Sequence, residues 1–498
     1  MLFRKNKKIR TRFAPSPTGF LHMGGLRTAL YEYIFAKQNK GTFVLRLEDT
    51  DQTREVEGAI ESLLKSLKWA GLTPDEGVFL GYDGKVAEKG NFGPYTQSKR
   101  LKIYQKYAQE LINGDKAYYC FCSPERLEEL KVSQQAAGQP IHYDRECLKL
   151  IEDEVQSKLD NHERRVIRFK VPESQAVKFN DTVKGEIKFS TTDIDDQIIL
   201  KSDGFPTYHL ASVVDDYLMK INYVIRGEEW LSSTPKHILL YQAFNWPVPQ
   251  FAHLPLLLNP DKSKLSKRQG DVAVEDYRDQ GYLPEALINF VALLGWNPDT
   301  EQEIFSLDEL IKVFDFKKVH KAGAVFNRDK LGWFNSEYLK KLSLAEFKKI
   351  ARPYLEKNIA HLPADLNLDK LFEIEQPRIN RLGEIGEEIK FIFTDNLNYP
   401  AKDLIWKKSD SKNILKNLEL LVAELAKYPK EEWSAAKLEK NIREFIAKNN
   451  LNNGDVLWPL RVALTGEPKS PTPFEVAEII GQAKSLRRLK VAIEKLKI

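Results

Sequence analysis

Cysteine is scarce in this sequence, because only three of the 498 residues are cysteines. Three cysteines cannot form a disulfide framework in a chain of this length, which excludes the disulfide-rich secreted class. The chain also lacks any run of about 18 uncharged apolar residues, which a membrane span needs. The basic start MLFRKNKKIR leads directly into FAPSPTG, without the apolar stretch of a secretion signal. We therefore expect a cytoplasmic protein with no membrane partner.

A strong charge of one sign is also missing, since 76 Lys and Arg face 71 Asp and Glu for a formal net charge of +5. The distribution is less even, because residues 401–498 hold 19 Lys and Arg against 13 Asp and Glu. Such a segment can attract a polyanion, but lysines that keep helical surfaces soluble explain it equally well. Charge alone therefore names no partner.

The hydrophobic pattern predicts an α/β half followed by an all-α half. IRTRFA and TFVLRLE favour strands, and LRTALYEYIFAK between them has helical spacing, which predicts a β-α-β unit and a parallel sheet. Short strands and turns over 116–201 interrupt this pattern, and IIL, ASVV and INYVIRG, taken as strands, resume it. After about residue 270 the periodicity becomes helical, and about three domains fit the length.

The segment FAPSPTGFLHMGG, residues 13–25, lies between the first predicted strand and helix. A strand end followed by a helix N-terminus presents backbone N–H groups that suit phosphates, and Gly24 and Gly25 allow close approach. His22 can donate a hydrogen bond to a phosphate oxygen. No lysine follows in the P-loop position, which disfavours an ordinary P-loop NTPase. Alone, the segment is equally well explained as a proline-rich loop with an incidental histidine.

A second segment, KSKLSKRQG at 262–270, follows the last apolar strand. Four cations that flank serines before a glycine suit a mobile loop that closes over a triphosphate. The alternative is a solvated basic loop or a nonspecific RNA patch. Neither segment decides the function by itself.

Together the two segments resemble the HIGH and KMSKS signatures of class I aminoacyl-tRNA synthetases, in HMGG at 22–25 and KLSKR at 264–268. The chain departs from these signatures at Met23, Gly25, Leu265 and Arg268. The similarity is to the bacterial-type glutamyl-tRNA synthetases and covers most of the chain. The ordered motifs that carry it are FAPSPTG, RLEDTD, GPYTQS, KSDGFPTYHLA, VVDD, VIRGEEWLSSTP, FAHLPLLLNPDKSKLSKR, GYLPEALINFVALLGW and LRVALTGE.

The resemblance implies ATP-dependent activation of L-glutamate to glutamyl-adenylate and its transfer to the 3′ end of tRNA(Glu). It also implies Mg²⁺ as a cofactor and a monomeric enzyme. Attack of a carboxylate on the α-phosphate needs no protein nucleophile, only positioning and stabilisation of charge. By similarity, the catalytic residues are His22, Lys264 and Lys267. The residues expected to contact ATP are His22, Gly24, Gly25, Lys264, Ser266, Lys267 and Arg268.

The amino-acid site must bind one ammonium and two carboxylates. The family positions that line this site fall on Arg12, Ala14, Ser16, Glu48, Tyr208, Ser212, Arg226 and Trp230. Glu48 suits the substrate ammonium, and the Arg226 guanidinium accepts no hydrogen bond from an amide, so it would distinguish glutamate from glutamine. Ser212 stands where the family often has asparagine or cysteine, and its side chain reaches less far.

Each of these assignments has an ordinary structural alternative. Glu48 in RLEDTD could belong to an acid cluster that caps a helix, and Tyr208 and Trp230 could be core aromatics. Arg226 could form an ion pair with a neighbouring glutamate of RGEEW.

The three cysteines match three positions of a zinc site found in some members of the family. Cys120 and Cys122 form a C-x-C pair, and Cys147 follows after 24 intervening residues. The fourth family position is Lys149, and lysine is a poor ligand for zinc. His142 could substitute from nearby, so zinc and three reduced structural thiols both stay open.

The resemblance also predicts the domain organisation: a Rossmann-like catalytic domain with an inserted acceptor-binding subdomain, then stem-contact and helical anticodon-binding regions. The expected bounds are 1–115 and 202–260 for the catalytic halves, 116–201 for the insertion, 261–335 for the stem-contact region, and 336–395 and 396–498 for the helical subdomains.

The tRNA that is charged is not decided by the sequence. Anticodon reading is expected to involve the predicted helical segment 376–381, with Gln376, Arg378 and Arg381 as candidates. Charging of tRNA(Gln) with glutamate by a non-discriminating enzyme stays open. Glutaminyl-tRNA synthetase is disfavoured by Arg226 and by the helical C-terminal half, and a non-enzymatic tRNA-binding paralogue by the intact ATP signatures.

We predict that Lys267→Ala lowers the rate of adenylate formation by roughly two to three orders of magnitude, because a loop cation stabilises charge that develops on the phosphates. The affinity for tRNA should stay nearly unchanged. ATP–pyrophosphate exchange measures the rate, and His22→Ala should impair the same step. An unchanged rate, or a loss confined to tRNA binding, would assign the loop to a basic surface patch.

Overall fold

A computed structural model describes residues 8–265, 273–362 and 366–497. The strands are β1 (Arg10–Phe13), β2 (Thr42–Leu45), β3 (Glu76–Leu80), β4 (Val86–Lys89), β5 (Ala117–Cys120), β6 (Val166–Phe169), β7 (Ala176–Asp181), β8 (Gly185–Ser190), β9 (Ile198–Leu200), β10 (Tyr223–Gly227), β11 (Gln250–Leu254), β12 (Leu257–Leu258) and β13 (Ala324–Val325). The helices are α1 (Met23–Gln38), α2 (Ala59–Trp69), α3 (Leu101–Asn113), α4 (Pro124–Ala136), α5 (Glu152–Asp160), α6 (Tyr208–Leu218), α7 (Thr234–Ala243), α8 (Val274–Asp279), α9 (Pro284–Ala292), α10 (Leu307–Val313), α11 (Arg328–Lys341), α12 (Leu344–Asn358), α13 (Leu368–Glu375), α14 (Lys390–Phe393), α15 (Ser411–Leu425), α16 (Ala435–Lys448), α17 (Asn453–Thr465) and α18 (Pro473–Lys497).

The chain forms two compact units. The first consists of Met1–Tyr277 and Pro284–Arg328, and the second of Arg278–Leu283 and Asp329–Ile498. Within the part of the chain that the structure describes, no helix is both long and apolar enough to cross a membrane.

The first unit contains the predicted β-α-β arrangement. β1 and β2 pair in parallel and α1 connects them, while β3 continues the sheet in parallel and β4 closes it in the antiparallel sense. β10 and β11 also pair in parallel. The backbone N–H of Asn222 donates to the carbonyl oxygen of Arg10 at 3.2 Å, so β10 lies beside β1. The carboxyl ends of these strands form one edge, which is where open α/β sheets bind ligands.

Helix α6 contains the sequence ASVV, for which the sequence analysis predicts a strand, and this prediction is wrong. Leu210, Ala211, Val213 and Val214 are all buried. A helix buried on several sides gives a continuous apolar run, and periodicity alone does not distinguish such a run from a buried strand.

The segment 116–201 contributes to two different sheets. β5, β6 and β9 form a separate antiparallel sheet, and α4 and α5 lie between its first two strands in the chain. The antiparallel pair of β7 and β8, in contrast, joins β11, so that β10, β11, β7 and β8 form one sheet, with Asp181 opposite Phe251. Part of the predicted insertion therefore belongs to the same sheet as β10 and β11.

The second unit contains helices and turns, and no strand occurs among its described residues. Ser343 and Glu346 form a capping box at the start of α12, and Gly466 ends α17 with a φ of 72°. α18 is interrupted at Gly481, whose φ of 76° lies outside the helical region. The core consists of buried aliphatic and aromatic side chains such as Leu339, Phe347, Leu418, Val462 and Leu489.

Residues 376–381, which the sequence analysis predicts to be helical, form a turn instead. α13 ends at Glu375, and Pro377 has no N–H with which to continue the helical hydrogen bonds. The N–H groups of Arg378 and Ile379 both donate to the carbonyl oxygen of Glu375, at 2.9 and 3.1 Å.

Candidate functional site

A cleft of about 940 Å³ opens in the first unit at the carboxyl ends of β1 and β10. The loop after β1 and the N-termini of α1 and α6 form its walls. The predicted site residues that line the cleft are Arg12, Ala14, Ser16, His22, Gly24, Gly25, Glu48, Tyr208, Arg226, Trp230 and Lys264. The structure thus brings together residues from both predicted catalytic halves.

Ser212 is the predicted glutamate-site residue that the structure does not place on the cleft wall. It lies within α6, is 1% exposed, and its hydroxyl has no hydrogen-bond partner among the described residues. Three predicted ATP contacts, Ser266, Lys267 and Arg268, lie outside the described residues.

His22 forms the N-cap of α1. Its Nδ1 atom accepts a hydrogen bond from the backbone N–H of Gly25 at 3.2 Å, so the neutral ring carries its proton on Nε2. A Cβ atom at Gly24 would lie 3.2 Å from the His22 ring, so a larger residue at this position would press on the ring. The exposed Lys264 lines the same cleft, and its neighbour Leu265 donates its N–H to Leu257 at 2.9 Å.

A buried network of charges forms the floor beside this loop. Arg12 contacts Glu32 at 3.3 Å and Asp216 at 3.1 Å, and Arg46 contacts Asp216 at 2.7 Å. Burial would raise the pKa of Asp216, but Arg12 and Arg46 outweigh it and lower that pKa. The network ties α6 to the loop after β2 and to β1, because buried charges are stable only when they are paired.

Glu48 stands at the boundary between this network and the cleft. Its Oε1 atom accepts hydrogen bonds from Arg46 at 2.8 and 3.3 Å, and no hydrogen bond to Oε2 is found among the described residues. Burial raises the pKa of Glu48 despite the opposing effects of Arg46 and Arg12. A cation in the cleft would therefore stabilise the ionised carboxylate.

Arg226 differs from Arg12 and Arg46 in its partners. Its Nε donates to His253 at 3.1 Å, Nη1 to the Tyr208 hydroxyl at 3.1 Å, and Nη2 to the Thr234 hydroxyl at 2.8 Å. Among the residues described, none of its hydrogen-bond acceptors is a carboxylate. A buried guanidinium with only neutral acceptors can pair with a carboxylate that enters the cleft.

The predicted alternative, an ion pair of Arg226 with a neighbouring glutamate, is not formed in the structure. Glu228 pairs with Lys184 and accepts a hydrogen bond from the N–H of Leu256. Tyr208 and Trp230 are not core residues either, because both line the cleft with ring centroids 4.5 Å apart.

Comparison with known proteins places this geometry in a family. Residues 8–333 match the family described as tRNA synthetases class I (E and Q), catalytic domain, and residues 346–493 match an anticodon binding domain. The glutamate-tRNA ligase of Finegoldia magna is 45% identical over 495 residues, which cover 98% of this chain and 100% of that protein. That of Chloroherpeton thalassium is 45% identical over 507 residues and 98% of each chain.

The chain belongs to the glutamate-tRNA ligases. Solved structures agree: a glutamate tRNA ligase from Elizabethkingia meningosepticum, in complex with its amino acid, has a TM-score of 0.89 and 38% identity and covers 98% of this chain and 100% of its own. A glutamate-tRNA synthetase from Elizabethkingia anophelis has a TM-score of 0.87 and 37% identity over the same shares. The predicted family, class I fold and enzyme class are confirmed.

The three cysteines of this ligase lie together in the segment 116–201. Their sulfur atoms are all within 4.8 Å of one another, and a fourth group, the Tyr143 hydroxyl, lies 3.4 Å from Cys120 Sγ and 3.3 Å from Cys122 Sγ. Hydrogen bonding by the Cys147 thiol lowers the pKa of Cys120 to about 4. The sequence reasoning missed Tyr143, although its spacing of four residues before Cys147 was available.

Lys149 takes no part in this cluster, because it is exposed and pairs with Glu146 at 2.7 Å. Among the described residues, His142 does not belong to any group of side chains that could hold a metal ion.

The anticodon candidates of the ligase are held by contacts within the second unit. Gln376 donates to the carbonyl oxygens of Leu339 and Leu342, each at 2.8 Å. Arg378 donates to Ile374, and Arg381 pairs with Glu384 at 2.8 Å. Their expected contact with tRNA stays a prediction.

We predict that Arg46→Met destabilises the first unit by about 3–5 kcal/mol, because Arg46 is fully buried and its removal leaves Glu48 without its ion-pair partner. Asp216 would keep its contact with Arg12. Denaturant unfolding measures the loss. The control Arg54→Ala breaks an ion pair of a side chain that is 74% exposed and should change stability by less than about 1 kcal/mol. Equal effects of the two substitutions would contradict the role given to Arg46.

Proposed function

We propose that the cleft binds L-glutamate and ATP side by side, forms glutamyl-adenylate, and transfers the glutamyl group to the 3′ end of tRNA(Glu). The observation that carries this proposal is Arg226, a buried guanidinium on the cleft wall that hydrogen-bonds only neutral groups among the described residues. A carboxylate of the amino acid would supply the missing counter-charge.

Glutamate would bind between two charged ends of the site. Arg226 and the Tyr208 hydroxyl would hold the side-chain carboxylate, and Glu48 would receive the ammonium group through Oε2. The ring of Trp230 packs beside Tyr208 and would cover the aliphatic part of the substrate. Ala14 and Ser16 line the same wall. Arg12 is less suited to read a carboxylate, because Glu32 and Asp216 already pair with it.

ATP would lie over the loop between β1 and α1. The helix N-terminus and the Nε2–H of His22 suit its phosphates, and Gly24 and Gly25 leave room for the nucleotide. Lys264, on the cleft wall, and Lys267 would stabilise the charge that develops on the pyrophosphate. Mg²⁺ would be held mainly by the phosphates themselves.

Within this proposal, the segment 116–201 binds the acceptor end, 261–335 contacts the stem, and the helical regions 336–395 and 396–498 bind the anticodon. The excess of Lys and Arg in residues 401–498 supports a polyanion at that end. We also propose that the enzyme acts as a monomer in the cytoplasm, where its three thiols stay reduced.

We propose tRNA(Glu) as the preferred substrate, with tRNA(Gln) as the alternative. Charging of the two purified tRNAs side by side decides between them. Efficient glutamylation of both would identify a non-discriminating enzyme, and pyrophosphate exchange without any charging would point to a paralogue with another acceptor.

The three thiols and the Tyr143 hydroxyl form a donor set that fits one Zn²⁺. Zinc prefers four tetrahedral N, O or S donors, and thiolates are its favoured ligands in structural sites. Bound there, zinc would link β5 to the loops that carry Tyr143 and Cys147.

We predict about one zinc per chain in the purified enzyme, measured by atomic emission, and its loss in Cys120→Ser because one of three thiolates is removed. Tyr143→Phe should weaken zinc retention against a chelator, whereas Lys149→Ala should leave it unchanged, since Lys149 pairs with Glu146. A protein that is purified without zinc and takes up none would show that the thiols are structural only.

We predict that Arg226→Ala raises the KM for glutamate sharply and removes the preference for glutamate over glutamine, with little change in the KM for ATP. The guanidinium has no acceptor for an amide N–H, and such mismatches reject the wrong substrate by about 10⁴–10⁵-fold. Charging kinetics with each amino acid measure this ratio. Arg226→Lys keeps the positive charge but not the planar guanidinium, so its preference for glutamate over glutamine should lie between those of the wild type and of Arg226→Ala. Full discrimination in a folded Arg226→Ala enzyme would reassign carboxylate reading to Arg12.

A further inference from the structure

Two buried residues lie directly beneath Arg226. Arg226 lies on β10, and His253 is the residue opposite it on β11. Asp181 ends β7, which pairs with the other side of β11. His253 is fully buried and Asp181 is 1% exposed. Neither lines the cleft, and the sequence analysis places neither of them among the site residues.

The carboxylate of Asp181 determines which nitrogen of His253 carries the proton. Oδ2 of Asp181 lies 2.6 Å from Nδ1 of His253, and a carboxylate only accepts hydrogen bonds. Nδ1 of His253 therefore donates. Burial lowers the pKa of His253 in spite of the raising effect of Asp181, so the ring is neutral and its Nε2 is an acceptor.

This acceptor faces the guanidinium of Arg226. Nε of Arg226 donates to Nε2 of His253 at 3.1 Å, while the Thr234 hydroxyl accepts from Nη2 at 2.8 Å and also lies 3.0 Å from His253 Nε2. Nη1 of Arg226 reaches the Tyr208 hydroxyl and lies 3.4 Å from Nδ1 of His237. The orientation of the guanidinium thus depends on an acceptor at Nε2.

We propose that Asp181 and His253 are positioning residues for amino-acid selection, acting through Arg226. Asp181 holds His253 in the tautomer that accepts from Arg226, and His253 aims the guanidinium fork at the substrate carboxylate. The proposal rests on the function assigned to Arg226 above. It also makes a residue of the segment 116–201 a determinant of which amino acid is bound.

The substitution Asp181→Asn tests the tautomer. Oδ1 of Asp181 accepts from the backbone N–H groups of Val183, Lys184 and His253, at 2.9, 2.9 and 3.2 Å. These three donors require an oxygen, so the amide NH₂ of an asparagine must face Nδ1 of His253. The ring proton then moves to Nε2, where it opposes the N–H of Arg226.

For Asp181→Asn we expect the KM for glutamate to rise roughly tenfold or more and the preference over glutamine to fall, because a hydrogen bond to a charged group is lost. The KM for ATP should not change. L-glutamate binding measured by calorimetry should weaken by the same factor. The matched control Asp196→Asn removes a buried carboxylate that bonds Tyr118 and Arg145 away from the cleft, and it should leave both KM values unchanged.

The pair His253→Gln and His253→Asn tests the acceptor without changing Asp181. Both side chains carry the same amide, but the glutamine oxygen reaches about as far as Nε2, whereas asparagine reaches only as far as Nδ1. We expect His253→Gln to keep most of the discrimination and His253→Asn to lose it. This comparison decides the proposal if Asp181→Asn does not fold, as judged by thermal unfolding.

Arg226→Ala in the same assays separates the role of Arg226 from the positioning role of Asp181 and His253. Full discrimination in Arg226→Ala would overturn the function proposed for Arg226. Lost discrimination in Arg226→Ala, combined with wild-type KM values in a folded Asp181→Asn or equal behaviour of the two His253 variants, would overturn only the positioning role.

Discussion

The pairing of buried charges beneath the cleft is the constraint on which the site depends. Arg12 belongs to β1, Arg46 follows β2, and Asp216 lies in α6, so one carboxylate holds three elements that are far apart in the chain. Removing a partner from such a group leaves an uncompensated charge in a medium of low dielectric constant, which costs several kcal/mol. The relative positions of these elements are therefore fixed before any substrate binds. The same network also positions Glu48, through its ion pair with Arg46.

The selectivity that we propose for a dicarboxylic amino acid rests on a difference among three buried arginines. Arg12 and Arg46 are neutralised by carboxylates of the protein itself, whereas Arg226 is surrounded by the neutral groups of Tyr208, Thr234 and His253. Neutral acceptors orient the guanidinium without cancelling its charge. In this proposal Arg226 keeps its attraction for a substrate carboxylate, because the groups that orient its guanidinium carry no opposing charge.

Sequence reasoning found what is local and missed what depends on tertiary pairing. The first β-α-β unit, and the positions of the loop 13–25 and of Arg226 on the cleft, follow from motifs whose residues are close in the chain. The strand predicted for ASVV is wrong because a buried helix and a buried strand share one apolar pattern. The helix predicted for 376–381 is wrong because α13 ends before Pro377, which has no N–H to continue the helix. Asp181 could not be found, since it reaches His253, 72 residues later, only through the pairing of β7 with β11.

The same pairing shows that the segment 116–201 is only partly an independent insertion. Its antiparallel sheet of β5, β6 and β9 stands apart, but β7 and β8 belong to the same sheet as β10 and β11. Oδ1 of Asp181 binds the backbone where β7 turns into β8, and Oδ2 of the same carboxylate binds His253. One side chain therefore both closes the hairpin and supports the guanidinium. A shift of this hairpin must either break the two hydrogen bonds from Val183 and Lys184 to Asp181 or move the support of Arg226, so the hairpin and the amino-acid pocket are mechanically coupled.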